Sequence, residues 1–263
     1  MSSEPTSDSA KDLSRAQFGA NAANYATSKV HAKGASLETM VESAEPQADW
    51  RALDIATAAG HTAFAFAPHV ASVLATDITP EMVALASERA RELRHDNVTT
   101  QLADAEQLPF DDATFDLVTC RIAPHHFPNP DTFVSEVARV LTPGGVFVMV
   151  DNVVSEDERV AAVYNAWEKK RDPSHVRALP LSEWVGLCER KGLSVRSAET
   201  ADKKMNFDAW VTNMNVPHEL RPELLENLLE ADDEVAAFLR PTGATADDAG
   251  FTLTEGIIAA IKS

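Results

Sequence analysis

The strongest constraint in this sequence is a repeated unit: a short apolar run that ends near an acid, followed by a longer stretch with helical spacing. Arg51–Ile55 is the first such run, with Asp54 near its end, and Ala71–Asp77 is the second. Asn97–Leu102 leads to Asp104, Phe115–Cys120 follows the polar turn 111–114, and Val146–Val150 precedes Asp151. Between them lie helix signals. Ala63–Ala67 stops at Pro68, and Thr79-Pro80-Glu81 supplies a hydroxyl cap, a proline and an acid for a helix running to about Leu93. Asn129-Pro130-Asp131 opens another, whose Phe133, Val134, Val137, Val140 and Leu141 share one face until Pro143-Gly144-Gly145. Strands alternating with helices in this way predict βαβ crossovers and a doubly wound, mostly parallel α/β sheet.

Beyond Asp151 the period weakens. Glu156–Lys170 and Ser182–Lys191 read as helices, Leu193–Ala198 as a sixth strand, and Phe207–Leu239 as mostly helical; Phe251–Ile261 reads as a closing strand. Seven strands are therefore expected. The divisions are a disordered polar tail over 1–14, helices over 15–48, a cofactor-binding core over 49–152, a helical lid or acceptor region over 153–245, and the closing strand over 246–263.

Composition narrows the function. The formal net charge is -18, which repels polyanions and argues against a nucleic-acid partner. Solubility accounts for such a surface, and adaptation to high salt is a second reading. No run approaches the roughly 20 apolar residues that span a bilayer. The acidic start lacks the pattern of a signal peptide, and Cys120 and Cys188 provide no disulfide framework, so a cytoplasmic setting is expected. His31, His61, His69, His95 and His218 fall at no metal-ligand spacing, so no metal is expected.

Ligands of open parallel sheets bind at the carboxyl ends of the strands, near the switch in strand order. Asp54, Asp77 and Asp104 reach that edge together. Each alone suits a turn or a helix cap; jointly they suit a ligand with an amine, a ribose diol and an adenine. Leu53-Asp54-Ile55-Ala56-Thr57-Ala58-Ala59-Gly60, Thr76-Asp77-Ile78, Asp104–Phe110, Phe115-Asp116-Leu117-Val118 and Leu141–Gly145 then follow in order. In these five segments the chain resembles the class I S-adenosylmethionine-dependent methyltransferases, over roughly Trp50–Asp151. It is most similar to the branch related to ubiquinone and menaquinone methyltransferases.

The resemblance implies S-adenosylmethionine as cofactor and a Rossmann-like fold. It implies a methionyl pocket at Asp54, Ala56, Ala58 and Gly60, although the family commonly has glycine where Ala56 and Ala58 stand. It also implies a ribose-binding Asp77 with Ile78 on the adenine, and Asp104 with Ala105 at the adenine amine. Tyr25, Met82 and Arg121 would complete the cofactor site. His125 and His126 follow the fourth strand where the family faces the methyl donor, and either imidazole could accept a proton. Arg171, His175 and Trp210 are the candidate substrate residues, with core packing as the plainer reading for the tryptophan. The expected reaction is C- or O-methylation of a small-molecule acceptor, aromatic or quinone-like, by in-line displacement at the sulfonium methyl. A nicotinamide-dependent oxidoreductase and a cofactor-binding module without turnover are the rivals.

Overall fold

The computed structural model describes residues 7–27 and 35–263, with only the backbone of 21–27 and 35. In chain order the elements are α1 (Ser7–Thr27), α2 (Ala35–Ala44), β1 (Arg51–Ile55), α3 (His61–Phe66), β2 (Ser72–Asp77), α4 (Pro80–Glu92), β3 (Val98–Leu102) and β4 (Phe115–Arg121). After them come α5 (Pro130–Val140), β5 (Leu141–Val153), α6 (Glu158–Arg171), α7 (Leu181–Arg190), β6 (Leu193–Asn206), α8 (Phe207–Asn213), α9 (Arg221–Leu229), α10 (Asp233–Leu239) and β7 (Gly250–Lys262).

The seven strands form one sheet in the order β3-β2-β1-β4-β5-β7-β6. The first five pair in parallel, and β7 runs antiparallel between β5 and β6. Strand order reverses between β1 and β4, which opens a crevice at their carboxyl ends. Apolar residues cover both faces. On one, Leu53, Val118 and Phe147 pack under α5 and α7; on the other, Leu117 and Val148 pack under α2, α3 and α4. A third cluster joins Tyr164 and Trp167 of α6 to Phe207, Leu224, Val235 and the start of β7. Among the described residues no helix is long and apolar enough to cross a membrane.

Two expectations are corrected. The segment read as a disordered tail is helical from Ser7 onward, with Ala10 and Ser14 buried. Its polarity misled because Lys11 finds carboxylates on the body of the protein, not water: Asp104 at 2.7 Å and Glu106 at 2.8 Å. Met1–Thr6 lie outside the described residues. The sixth strand is also far longer than Leu193–Ala198. It stands at the edge of the sheet with one neighbour, so its second half can be polar and still pair with β7.

Phe133 is fully buried beneath the sheet, with its ring 4.8 Å from that of Phe127 and 6.1 Å from that of Phe147. Phe133→Ala should cost about 3–5 kcal/mol of stability. Urea unfolding should show a lower midpoint at an unchanged slope.

Candidate functional site

A cavity lies at the carboxyl edge, over the β1–β4 crevice. It is lined by residues 56–59 after β1, 77–79 after β2, 103–106 after β3, and 121–123 and 125–128 after β4. Lys11, Ser14 and Phe18 of α1 line it too, as do Asn152, Arg171, Lys203, Met205, Trp210 and Met214 from β5 onward.

The turn after β1 is held from below. Asp54 is buried, and its carboxylate accepts from the hydroxyls of Thr57 at 2.6 Å and Thr119 at 2.7 Å. Burial pushes its pKa up to about 6, against the hydroxyl donors. It does not line the cavity, and neither does Gly60, which starts α3 at φ +85° with the Phe64 ring where a Cβ would sit. These two expected cofactor contacts are therefore supports of the turn. Ala56 and Ala58 do line the cavity, at φ 54° and 47°. Left-handed backbone is what glycine tolerates best, so the two alanines carry strain that composition alone did not reveal.

Asp77 reaches into this turn. Its oxygens accept from the Ala58 amide at 3.0 Å and the Thr79 amide at 2.9 Å, and burial raises its pKa. Ile78 and Met82 border it in the wall. Asp104 and Ala105 sit across the cavity, and Lys11 bridges Asp104 to Glu106. Burial works against the Lys11 charge, but the two carboxylates outweigh it and raise the pKa. Arg121 lines the cavity and donates to the Thr62 hydroxyl at 3.1 Å. The side chain of Tyr25 lies outside the described residues.

The histidines separate into different environments. His125 shares a 2.6 Å hydrogen bond between its Nδ1 and Asp151 at the end of β5. Burial opposes its charge, yet Asp151 prevails and the pKa is raised. His126 stands against Ser174, whose carbonyl lies 3.1 Å from Nδ1, and meets the edge of Phe18 at 4.9 Å. Burial, with His125 next to it, drives its pKa down to about 3. His175 is corrected. Its Nε2 lies 2.8 Å from the Asn165 side-chain oxygen, behind the wall and not in it, and burial lowers its pKa.

Arg171 and Trp210 do face the cavity. The guanidinium sits 4.7 Å from the indole ring and donates to Glu168 at 2.9 Å, while the indole stacks on Trp167 at 4.2 Å. Lys11, Asn152, Lys203 and Met205 were missed. The first stood in an apparent tail and the last two in the unrecognised half of β6. Asn152, directly after a strand-end acid, carried a usable signal. Among the described residues no group of three or more His, Cys, Asp or Glu is placed to hold a metal.

Relieving the φ of Ala58 should show in stability. Left-handed backbone costs an alanine roughly 1–2 kcal/mol, and glycine returns about half of that as chain entropy. Ala58→Gly should therefore raise stability by about 0.5–1 kcal/mol in urea unfolding; a loss would mean that the turn is unstrained.

Residues 53–149 match the family model described as a methyltransferase domain. The uncharacterised methyltransferase YcgJ of Bacillus subtilis is 40% identical over 217 residues, covering 82% of this chain and 86% of that protein. Its crystal structure superposes with a TM-score of 0.83 at 37% identity, over 86% of this chain and 97% of that one. BH2331 from Bacillus halodurans gives the same TM-score at 36% identity, over 87% and 99%. The ubiquinone/menaquinone biosynthesis C-methyltransferase UbiE of Brucella anthropi is 34% identical over 139 residues, 51% of this chain and 52% of that protein. The nicotinamide enzyme considered from sequence is set aside by these matches. The chain belongs to the class I S-adenosylmethionine-dependent methyltransferases.

Proposed function

We propose that the cavity holds S-adenosylmethionine at its acidic, α1-capped end and a small-molecule acceptor at the end walled by Arg171, Trp210 and Asn152. The observation that carries this reading is the pair Asp77 and Asp104, which line one cavity together with His125, itself held by Asp151. The ribose hydroxyls would donate to Asp77, with Ile78 and Met82 against the adenine and Ala105 beside it. The adenine amine would reach Asp104, sharing that carboxylate with Lys11. Close backbone approach at Ala56 and Ala58 suits the methionyl part, and Arg121 suits its carboxylate.

S-adenosylmethionine supplies an activated methyl on a sulfonium, itself a strong leaving group. The protein then has to orient the acceptor, exclude water and take a proton where one is released. His125 fits the last task. With Nδ1–H donated to Asp151, its Nε2 is the basic nitrogen, and an acceptor O–H or enolisable C–H would lose its proton there. His126 fits a positioning role, since its depressed pKa makes it a poor base at neutral pH. The helices α6 and α8–α10 would serve as a lid over the acceptor. The likeness to UbiE, a C-methyltransferase of ubiquinone and menaquinone biosynthesis, supports C-methylation of an aromatic or quinone-like molecule, with O-methylation the second reading.

Isothermal titration tests the donor half of this reading: S-adenosylhomocysteine should bind and NAD should not. Asp77→Ala should weaken S-adenosylhomocysteine by about 2–3 kcal/mol, roughly thirty- to a hundredfold. Unchanged affinity in a folded variant would remove Asp77 from the site.

The base assignment has a pH signature. His125 accepts a proton only when neutral, and its pKa lies above the ordinary 6.5. Turnover, with whichever phenol or enolisable ketone proves active, should rise with pH through a value above 6.5. His125→Ala should abolish that limb. A profile flat through this range in the native enzyme would exclude His125 as the base.

A further inference from the structure

Four cavity-lining residues, Ser14, Thr79, Asn152 and Trp210, hold a buried polar side-chain atom with no partner among the described residues. The indole Nε1–H of Trp210 and the side-chain oxygen of Asn152 make no hydrogen bond, although the residues are only 2% and 8% exposed. An unpaired buried donor or acceptor is costly, and native proteins carry few of them. The indole of Trp184 is unpaired too, but it belongs to the core under the sheet and not to the cavity. Ser14 and Thr79 line the cavity from α1 and from just after β2, whereas Trp210 and Asn152 belong to the wall that the chain builds from β5 onward.

The sheet register relates the two positions. Asn152 pairs with Glu255 across β5 and β7, while Leu253 pairs with Lys203 and Phe251 with Met205 across β7 and β6. Residues opposite one another, and those two apart along β7, share a face, so Asn152, Leu253, Lys203 and Met205 form one strip. Phe251, the next residue of that strip, meets the edge of Trp210 at 5.2 Å. Asn152 and Trp210 thus stand at the two ends of a wall whose middle is Leu253, Met205 and the stem of Lys203. Lys203 is itself paired with Glu255 at 2.8 Å. None of these residues belongs to the strand ends assigned above to the donor.

Resting on the reading that this is the acceptor end, we propose that Asn152 and Trp210 determine acceptor specificity by selecting an apolar molecule that carries an oxygen substituent. Trp210 is a donor only, so its partner is an oxygen lone pair, of a carbonyl or a carboxylate. The unpaired side-chain oxygen of Asn152 is an acceptor, so it reads a hydroxyl or amine donor elsewhere on the same molecule. Leu253, Met205 and Met214 enclose the apolar body, and Arg171, stacked on the indole, adds attraction when the oxygen is anionic. A molecule of the same shape without the oxygen leaves the indole unpaired and is discriminated against.

The probes are benzoate, acetophenone and ethylbenzene, which share a ring and differ in the oxygen. They are titrated into protein saturated with S-adenosylhomocysteine and labelled with ¹⁵N at the indoles, with the Trp210 signal identified through Trp210→Phe. Benzoate or acetophenone should shift that signal, and the better of the two should bind at least tenfold more tightly than ethylbenzene. A preference for benzoate assigns a carboxylate, and the reverse a neutral carbonyl. Trp210→Phe should reduce the preference over ethylbenzene to less than threefold, and Asn152→Ala should reduce any preference for 3-hydroxyacetophenone over acetophenone to less than threefold, each with S-adenosylhomocysteine affinity within twofold of the native value. Ethylbenzene binding as tightly as both oxygenated probes would overturn the proposal. So would a Trp210 signal unmoved by either oxygenated probe while S-adenosylhomocysteine is bound. Failure of S-adenosylhomocysteine itself to bind would instead overturn the donor assignment.

Discussion

The site depends on one buried carboxylate at the point where strand order reverses. Asp54 ends β1, accepts from Thr119 on the neighbouring β4 and from Thr57 in the turn that follows, and its backbone carbonyl accepts from the Thr76 hydroxyl of β2. Three adjacent strands are thereby fastened at the lip of the crevice. The two hydroxyl donors, the nearby Arg121 and the Ala63 amide offset its burial only in part, which leaves its pKa near 6. Hydrogen bonds to a charged group inside a protein are stronger than those between neutral groups. The left-handed alanines above it are held against their own preference by this anchor, by the Thr57 amide on the Thr76 carbonyl, and by Asp77 on the Ala58 amide.

From that anchor the cavity divides by chemistry. Its donor end is acidic and capped by a helix whose lysine enters the acid pair. The far end mixes donors, thioethers and aromatic faces, and its wall comes from β5, β6, β7 and the helices after β5. In the proposed reading the core carries the cofactor, and the later part of the chain would supply the surface that chooses what is methylated. The histidines mark the boundary. Asp151 raises the pKa of His125, while burial and the neighbouring His125 lower those of His126 and His175.

Much of the core was legible because each parallel strand ends where its polar residues have to emerge. Asp77 and Asp104 from their strand-end positions, and His125 from the resemblance, were therefore expected where the cavity lies. Asp54 showed the same pattern, but the sequence could not say that its oxygens are consumed by two threonines. His175 failed for a related reason: a polar residue in a polar loop can turn inward once Asn165 receives it. Lys11 and the second half of β6 were invisible to pattern, since charged residues in a helix cap or an edge strand look like solvent-facing chain. Their partners, Asp104 and Glu255, lie 93 and 52 residues away.

The division of the cavity into donor and acceptor ends is tested most directly by a crystal structure of the S-adenosylhomocysteine complex. The account predicts ribose hydroxyls at about 3 Å from the Asp77 carboxylate and the adenine amine at Asp104, with the sulfur turned toward His125. Asn152 and Trp210 should remain without contact to the bound molecule. An adenosine lying against Trp210 and Lys203, with Asp77 and Asp104 facing only protein, would contradict it.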